Sequence, residues 1–203
     1  YLLRLGWSHG DDEIIATEQA IEWFNLDSVG RSPSRFDFVK LTNLNGHYMR
    51  QADDARLAEL ALPFVEKAAG LTVDDAGKAL LRAGMTGLKE RSKTLIELAE
   101  QAAFYVRKRP LALDEKAAKQ LDADGKAVLS AFAARIRGAE PWSKETLEEA
   151  ARVYAEESGL KLGKIAQPLR AALTGSSVSP PIFEVMEVLG RAETLGRIDD
   201  TGI

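Results

Sequence analysis

Asp53-Asp54-Ala55-Arg56-Leu57-Ala58-Glu59-Leu60-Ala61-Leu62-Pro63-Phe64-Val65-Glu66-Lys67-Ala68-Ala69-Gly70 decides the fold class. Leu57, Leu60, Ala61, Phe64, Val65 and Ala68 recur at three- and four-residue spacing, which gathers apolar side chains on one face of an α-helix. Asp53 and Asp54 can cap the first turn, and Gly70 stops the pattern. The same grammar repeats down the chain. Leu95, Leu98, Ala99, Ala102, Tyr105 and Val106 predict a helix ended by Pro110, and Val128, Leu129, Phe132 and Ile136 predict another ended by Gly138. Ser143 is placed to cap a further helix with Leu147, Ala151 and Tyr154 inside and Gly159 just past its end. Ser179 before Pro180 predicts an N-cap followed by proline at the first helical position, where its missing N–H costs nothing. Ile182, Val185, Met186 and Leu189 then form a buried stripe that Gly190 ends. The nearest approach to strand-like alternation, Phe36 to Leu41, runs into the helical spacing of Phe38, Leu41 and Leu44 before Gly46. No repeat of fixed period points to a solenoid. The expected fold class is all-α, an irregular multi-helix assembly. Proline and glycine punctuation near Gly46, near Pro110 and from Gly138 to Pro141 predicts three modules in series, 1–50, 51–110 and 111–203.

Length and composition narrow the function classes. At 203 residues the chain can bury a sizeable core, and 45% apolar with 29% charged residues excludes wholesale disorder. The absence of cysteine removes disulfides, iron–sulfur clusters, thiolate zinc sites and cysteine nucleophiles. Apolar runs fall far short of the roughly 18 residues of a membrane helix, and no secretory signal pattern is present, so the expectation is a cytoplasmic protein without membrane partners. The start at Tyr1, in mid-pattern, suggests a piece of a longer protein. Lys and Arg number 27 against 31 Asp and Glu, which argues against a protein coated in lysine for nonspecific DNA binding. The charge is unevenly spread. Residues 1–30 hold one basic and six acidic residues, 82–109 hold seven basic and three acidic, and 160–183 hold three basic and no acid. Local basic character suits contact with a few phosphates; solvated helix faces are the plainer alternative.

Catalytic constellations are missing. Asp11, Asp12 and Glu13 sit together as a solvated cluster, whereas acid and base roles need carboxyl groups held apart in a cleft. His9 and His47 lie in different segments with no carboxylate at ligand spacing, so no metal site is expected. No glycine-rich phosphate loop follows a strand.

Two stretches go beyond core packing. One is Tyr1-Leu2-Leu3-Arg4-Leu5-Gly6-Trp7-Ser8, followed by Phe36-Asp37-Phe38-Val39-Lys40-Leu41-Thr42-Asn43-Leu44-Asn45-Gly46-His47-Tyr48-Met49-Arg50. The other is Lys161-Leu162-Gly163-Lys164-Ile165-Ala166-Gln167-Pro168-Leu169-Arg170-Ala171-Ala172-Leu173-Thr174-Gly175, running on through Ser179-Pro180-Pro181-Ile182-Phe183-Glu184. Both resemble bacterial glutamyl-tRNA synthetases, class I aminoacyl-tRNA synthetases, in the order that family has them. The first is similar to the stem-contact segment after the catalytic core, the second to the C-terminal anticodon-binding helices, a helical cage. The resemblance implies a role in protein biosynthesis: recognition of tRNA(Glu) by the region that follows the ATP- and magnesium-dependent ligase core. The His-Ile-Gly-His-like and Lys-Met-Ser-Lys-like motifs of that core do not occur here, so no cofactor and no catalytic residue is expected in these residues, and the chain alone should be inactive. A monomer is expected. The rival readings are a helical protein-interaction module without RNA binding and a synthetase paralogue that has lost anticodon recognition, which the motif around Arg170 disfavours.

The resemblance also implies site residues. It places Arg91, within Arg91-Ser92-Lys93-Thr94-Leu95, beside the third anticodon base. Arginine carries only donors in a planar fork. Cytosine presents O2 and N3 as acceptors, whereas the guanine of a glutamine anticodon presents N1–H and N2–H donors, so an arginine there accepts the first and rejects the second. A solvated arginine near a helix start is the alternative, with Arg82 or Lys89 able to take the role. Arg170 matches the arginine that meets the first anticodon bases, and Ser179, Pro180 and Ile182 match the wall against which unstacked bases sit. Thr174 and Ser176 are phosphate partners or turn residues. Lys40, Asn43, Asn45, Tyr48 and Arg50 resemble the polar face that meets the inside corner of tRNA, although Asn45-Gly46 also reads as a helix stop. Trp7, Leu3 and Leu5 are expected in the core.

Overall fold

The computed structural model describes residues 1–203 and is all-α. Pairing of strand type is confined to one isolated antiparallel bridge between Trp7 and Val29. Two short helices, α1 (Leu2–Gly6) and α2 (Thr17–Trp23), and extended chain up to Asp37 form an N-terminal unit. Trp7 is its only buried apolar residue; Leu3 and Leu5, expected inside, are half-buried. Aromatic contacts hold this unit together: Trp7 to Phe24 with centroids 6.0 Å apart, His9 stacked on Trp23 at 4.1 Å, and Tyr1 edge-on to Phe36 at 4.9 Å.

Next comes α3 (Phe38–Gln51), opened by Asp37, whose carboxylate accepts from the Val39 and Lys40 N–H groups. It runs straight through Gly46, so the helix stop read from Asn45-Gly46 is corrected. A side chain at Gly46 would run into Lys93, which packs there. Glycine here serves close approach.

Helices α4 (Asp54–Ala69) and α7 (Leu95–Val106) pack along one another, with α5 (Asp75–Ala83) and the short α6 (Met85–Lys89) across them. The second half comprises α8 (Glu115–Ala118), α9 (Ala123–Ile136), α10 (Lys144–Ser158), α11 (Leu162–Thr174) and α12 (Ile182–Asp199). Here α11 lies between α9 and α12, and α10 packs on all three. Side-chain caps follow the sequence reading: Asp53 accepts from Arg56 N–H at 2.9 Å, and Ser143 from Thr146 N–H at 3.3 Å. Gly159 ends α10 in the left-handed region at φ 67°, which a side chain would penalise. One continuous core of 35 buried residues runs from Met49 to Ile198 and crosses residue 110 without a break, because α7 touches α11 and α5 touches α12.

Two expectations at the last helix are corrected. The N-cap of α12 is Pro181, without a side-chain cap; the Ser179 hydroxyl is committed elsewhere. Gly190 does leave helical geometry, at φ 76° and ψ 168°, but helix resumes at once and reaches Asp199. The glycine makes a kink, because the apolar residues Leu195 and Ile198 beyond it also have core to bury against.

Candidate nucleic-acid interface

Arg91 lies in the turn between α6 and α7. The turn is anchored from below: the buried Ser92 hydroxyl donates to Leu88 O at 2.9 Å, and Gln101 on α7 donates to Arg91 O at 3.2 Å. Thr94 then caps α7 through Glu97 N–H. The Arg91 side chain is exposed at its outer end and reaches across 88 positions of sequence, where Nη1 donates to Ser179 O at 2.8 Å.

Arg170 is half-buried on the last turns of α11, and its Nε donates to the Ser179 hydroxyl at 3.0 Å. Burial, and after it the neighbouring Arg91 charge, hold its guanidinium below its ordinary pKa. It nevertheless stays cationic at neutral pH. Arg91 and Arg170 therefore form a like-charged pair seated on one residue, Ser179, which is itself 3% exposed. Neither guanidinium has an acidic partner. Two cations held together without a carboxylate make an anion- or acceptor-seeking face.

The remaining residues expected at this face sit differently. Pro180 and Ile182 are buried, Ile182 in the continuous core, so they cannot offer a wall to a base; Val178 and Pro181 are the exposed apolar residues of this loop. Ile182 is buried as a member of the apolar stripe with Val185, Met186 and Leu189 that the helical spacing predicts. Thr174 and Ser176 are turn residues: the Thr174 hydroxyl donates to Arg170 O at 2.8 Å and accepts from Ser176 N–H, while the Ser176 hydroxyl accepts from Val178 N–H. Lys89 is unavailable as an alternative reader, because its ammonium is paired with Asp54 at 2.6 Å and donates to Ala52 O. Arg82 is exposed.

A second basic surface surrounds α3. Lys40, Asn43, His47 and Arg50 follow one helical face at spacings of three and four and line an open cleft of about 790 Å³, which Arg4 and Arg35 line as well, together with the carboxylates of Glu13 and Asp37. Lys40 is loosely paired with Glu13 at 3.3 Å, an exposed contact of little energetic weight. Asn45 and Tyr48 lie on another face, so the five expected contacts do not form one surface. Asn45 donates to Lys93 O at 2.6 Å and Lys93 donates to Asn43 at 2.7 Å, which clamps α3 to the turn carrying Arg91. Tyr48 is exposed against His47. His47 could have been found from the spacing of Lys40, Asn43 and Arg50; Arg4, Arg35 and Gln101 leave no pattern in the sequence.

No group of three or more His, Asp or Glu side chains is placed to hold a metal ion, and no helix is long and apolar enough to cross a membrane.

Residues 56–201 match the family model of the anticodon binding domain. The chain is 68% identical over 201 residues to glutamate–tRNA ligase 2 of Paramagnetospirillum magneticum and 64% identical over 200 residues to that of Rhodospirillum rubrum. These matches take in 98% of this chain but only 42% and 43% of the relatives, so it spans about two fifths of their length. The crystal structure of a glutamate–tRNA ligase from Elizabethkingia meningosepticum, in complex with its amino acid, superposes with a TM-score of 0.76 at 28% identity, covering 97% of this chain and 38% of that one. With its matched region holding the two arginines and most of the helices, the chain belongs to the anticodon-binding domain family.

Proposed function

We propose that this chain is the tRNA-reading part of a cytoplasmic glutamate–tRNA ligase, taking the anticodon loop of tRNA(Glu) on the Arg91–Arg170 face and the sugar-phosphate backbone along the α3 cleft. The observation that carries the reading is the meeting of Arg91 and Arg170 on Ser179, from elements far apart in sequence, with no acid to neutralise them. Single-stranded loops splay their bases, and donor-only side chains then read acceptor edges. The cleft residues Lys40, Arg50, Arg4 and Arg35 would supply phosphate contacts, which orient the RNA without reading sequence. No step of glutamate activation is assigned to these residues.

The test is a titration of the chain, as a monomer, with tRNA(Glu) and with a tRNA of unrelated anticodon. Tighter binding of tRNA(Glu) is expected, weakening as salt rises in proportion to a few phosphate contacts. Equal affinity for the two RNAs would overturn the reading.

A further inference from the structure

We infer that Ser179 acts as a positioning residue that aims both arginines and makes no base contact of its own; the inference rests on the anticodon reading of this face. Ser179 is 3% exposed, too deep to meet a ligand edge-on. Its carbonyl and hydroxyl are nevertheless both engaged. The carbonyl accepts from Arg91 Nη1 at 2.8 Å, and the hydroxyl donates to Pro180 O at 2.8 Å. With its only proton so committed, the hydroxyl can face Arg170 solely as an acceptor, and Nε of Arg170 donates to it at 3.0 Å. A hydroxyl that donates to a carbonyl is polarised and becomes a better acceptor. The other donors of both guanidiniums make no hydrogen bond within the chain and remain for an RNA loop.

The seat is also stiff. Pro180 restricts the backbone of Ser179, and Pro180 and Pro181 each have φ fixed by their rings. Two like charges left free would swing apart, and each would have to be ordered when RNA binds. Fixed acceptors on a rigid turn remove that ordering cost before binding. The division of labour is specific: Arg91 depends on the Ser179 main chain, which a side-chain substitution leaves in place, whereas Arg170 depends on the hydroxyl.

The test is a double-mutant cycle of Ser179→Ala and Arg170→Ala in the 203-residue chain, titrated at fixed salt with the tRNA(Glu) anticodon stem-loop. Ser179→Ala is expected to weaken binding on the order of tenfold, the effect of a hydrogen bond to a charged group, and to cost nothing further once Arg170 is alanine. The preference at the third anticodon base stays unchanged, because Arg91 keeps its carbonyl. Ser179→Thr retains the acceptor and recovers the affinity. A readout without RNA is the Arg170 Nε–H resonance, which is expected to exchange faster with solvent in Ser179→Ala than in the unsubstituted chain. Equal losses from Ser179→Ala with and without Arg170, or a threonine variant as weak as alanine, would overturn the positioning role. Failure of the unsubstituted chain to bind the stem-loop would instead overturn the reading of the face itself.

Discussion

Arg91 and Arg197 show how one residue type does opposite work in one chain. Arg91 presents its charge outward from a turn, whereas Arg197 is 2% exposed and donates to Phe104 O at 3.0 Å and Leu173 O at 2.7 Å, with Glu193 as its ion-pair partner. Those carbonyls lie near the C-terminal ends of α7 and α11, where cations are favoured. Burial pushes the Arg197 pKa down, but an arginine stays charged. Replacing Arg197 with methionine should lower stability by roughly 3 kcal/mol, because two helix ends and a carboxylate lose their partner together; the midpoint of urea unfolding checks it. Replacing Arg91 with glutamine should leave stability and cognate affinity nearly unchanged and relax the third-base preference, since an amide carries both donor and acceptor. Replacing Arg170 with alanine should instead cost about 1–3 kcal/mol of cognate binding with the third-base preference intact, measured by the same titrations. The motifs around Arg91 and Arg170 single out both arginines in the sequence, but not their meeting on Ser179. Arg197 is not legible there, since an arginine in an amphipathic pattern reads as exposed until two other helix ends are brought beside it. For Pro180 and Ile182 the motif match implied a wall open to a base, whereas the helical spacing of Ile182, Val185, Met186 and Leu189 implied a buried Ile182. Burial is what the structure has, because a motif match carries no information on which way a side chain turns.

At the level of elements, periodicity and caps carried most of the fold. The helices opened by Asp53, Thr94 and Ser143 and closed by Gly70 and Gly159 follow from local chemistry, which tertiary packing reinforces. Long-range packing decides the rest. Gly46 interrupts nothing because Lys93 fills its place, and Gly190 bends α12 without ending it. The Gly190 conformation is one that only glycine adopts readily, so Gly190→Ala should destabilise the chain by about 1–3 kcal/mol, checked by thermal unfolding. The junction of α3 with α4 rests on Asp54, Lys89 and Thr86. Burial raises the Asp54 pKa, but the hydrogen bonds from Lys89 and Thr86 and the Lys89 charge outweigh it, leaving the carboxyl below its ordinary value. A depressed folded pKa contributes stability above the unfolded value of about 4 and loses it as pH falls through the folded one. An Asp54→Asn chain should therefore be less stable than the unsubstituted one at pH 7, with the gap closing below about pH 4, as thermal melts at the two pH values would read.

Across the whole molecule, charge is segregated although the total is only −4. Arg91 of the basic stretch 82–109 and Arg170 of the basic stretch 160–183 meet at Ser179. The sequence showed these clusters but not their meeting, which requires the shared core. On the proposed reading, a chain built this way would bind RNA through a few charges and read it through fewer. Lacking the motifs of adenylate formation, it should show no glutamate-dependent exchange of pyrophosphate into ATP, a quantity that isotope exchange measures directly. The decisive measurement is a pair of titrations at one salt concentration, with glutamate anticodon stem-loops that differ only in cytosine or guanine at the third anticodon base. If Arg91 reads an acceptor edge from the turn between α6 and α7, the cytosine RNA binds about 1–3 kcal/mol more tightly. Equal affinities for the two would contradict base reading at this face and leave the arginine pair as a phosphate anchor.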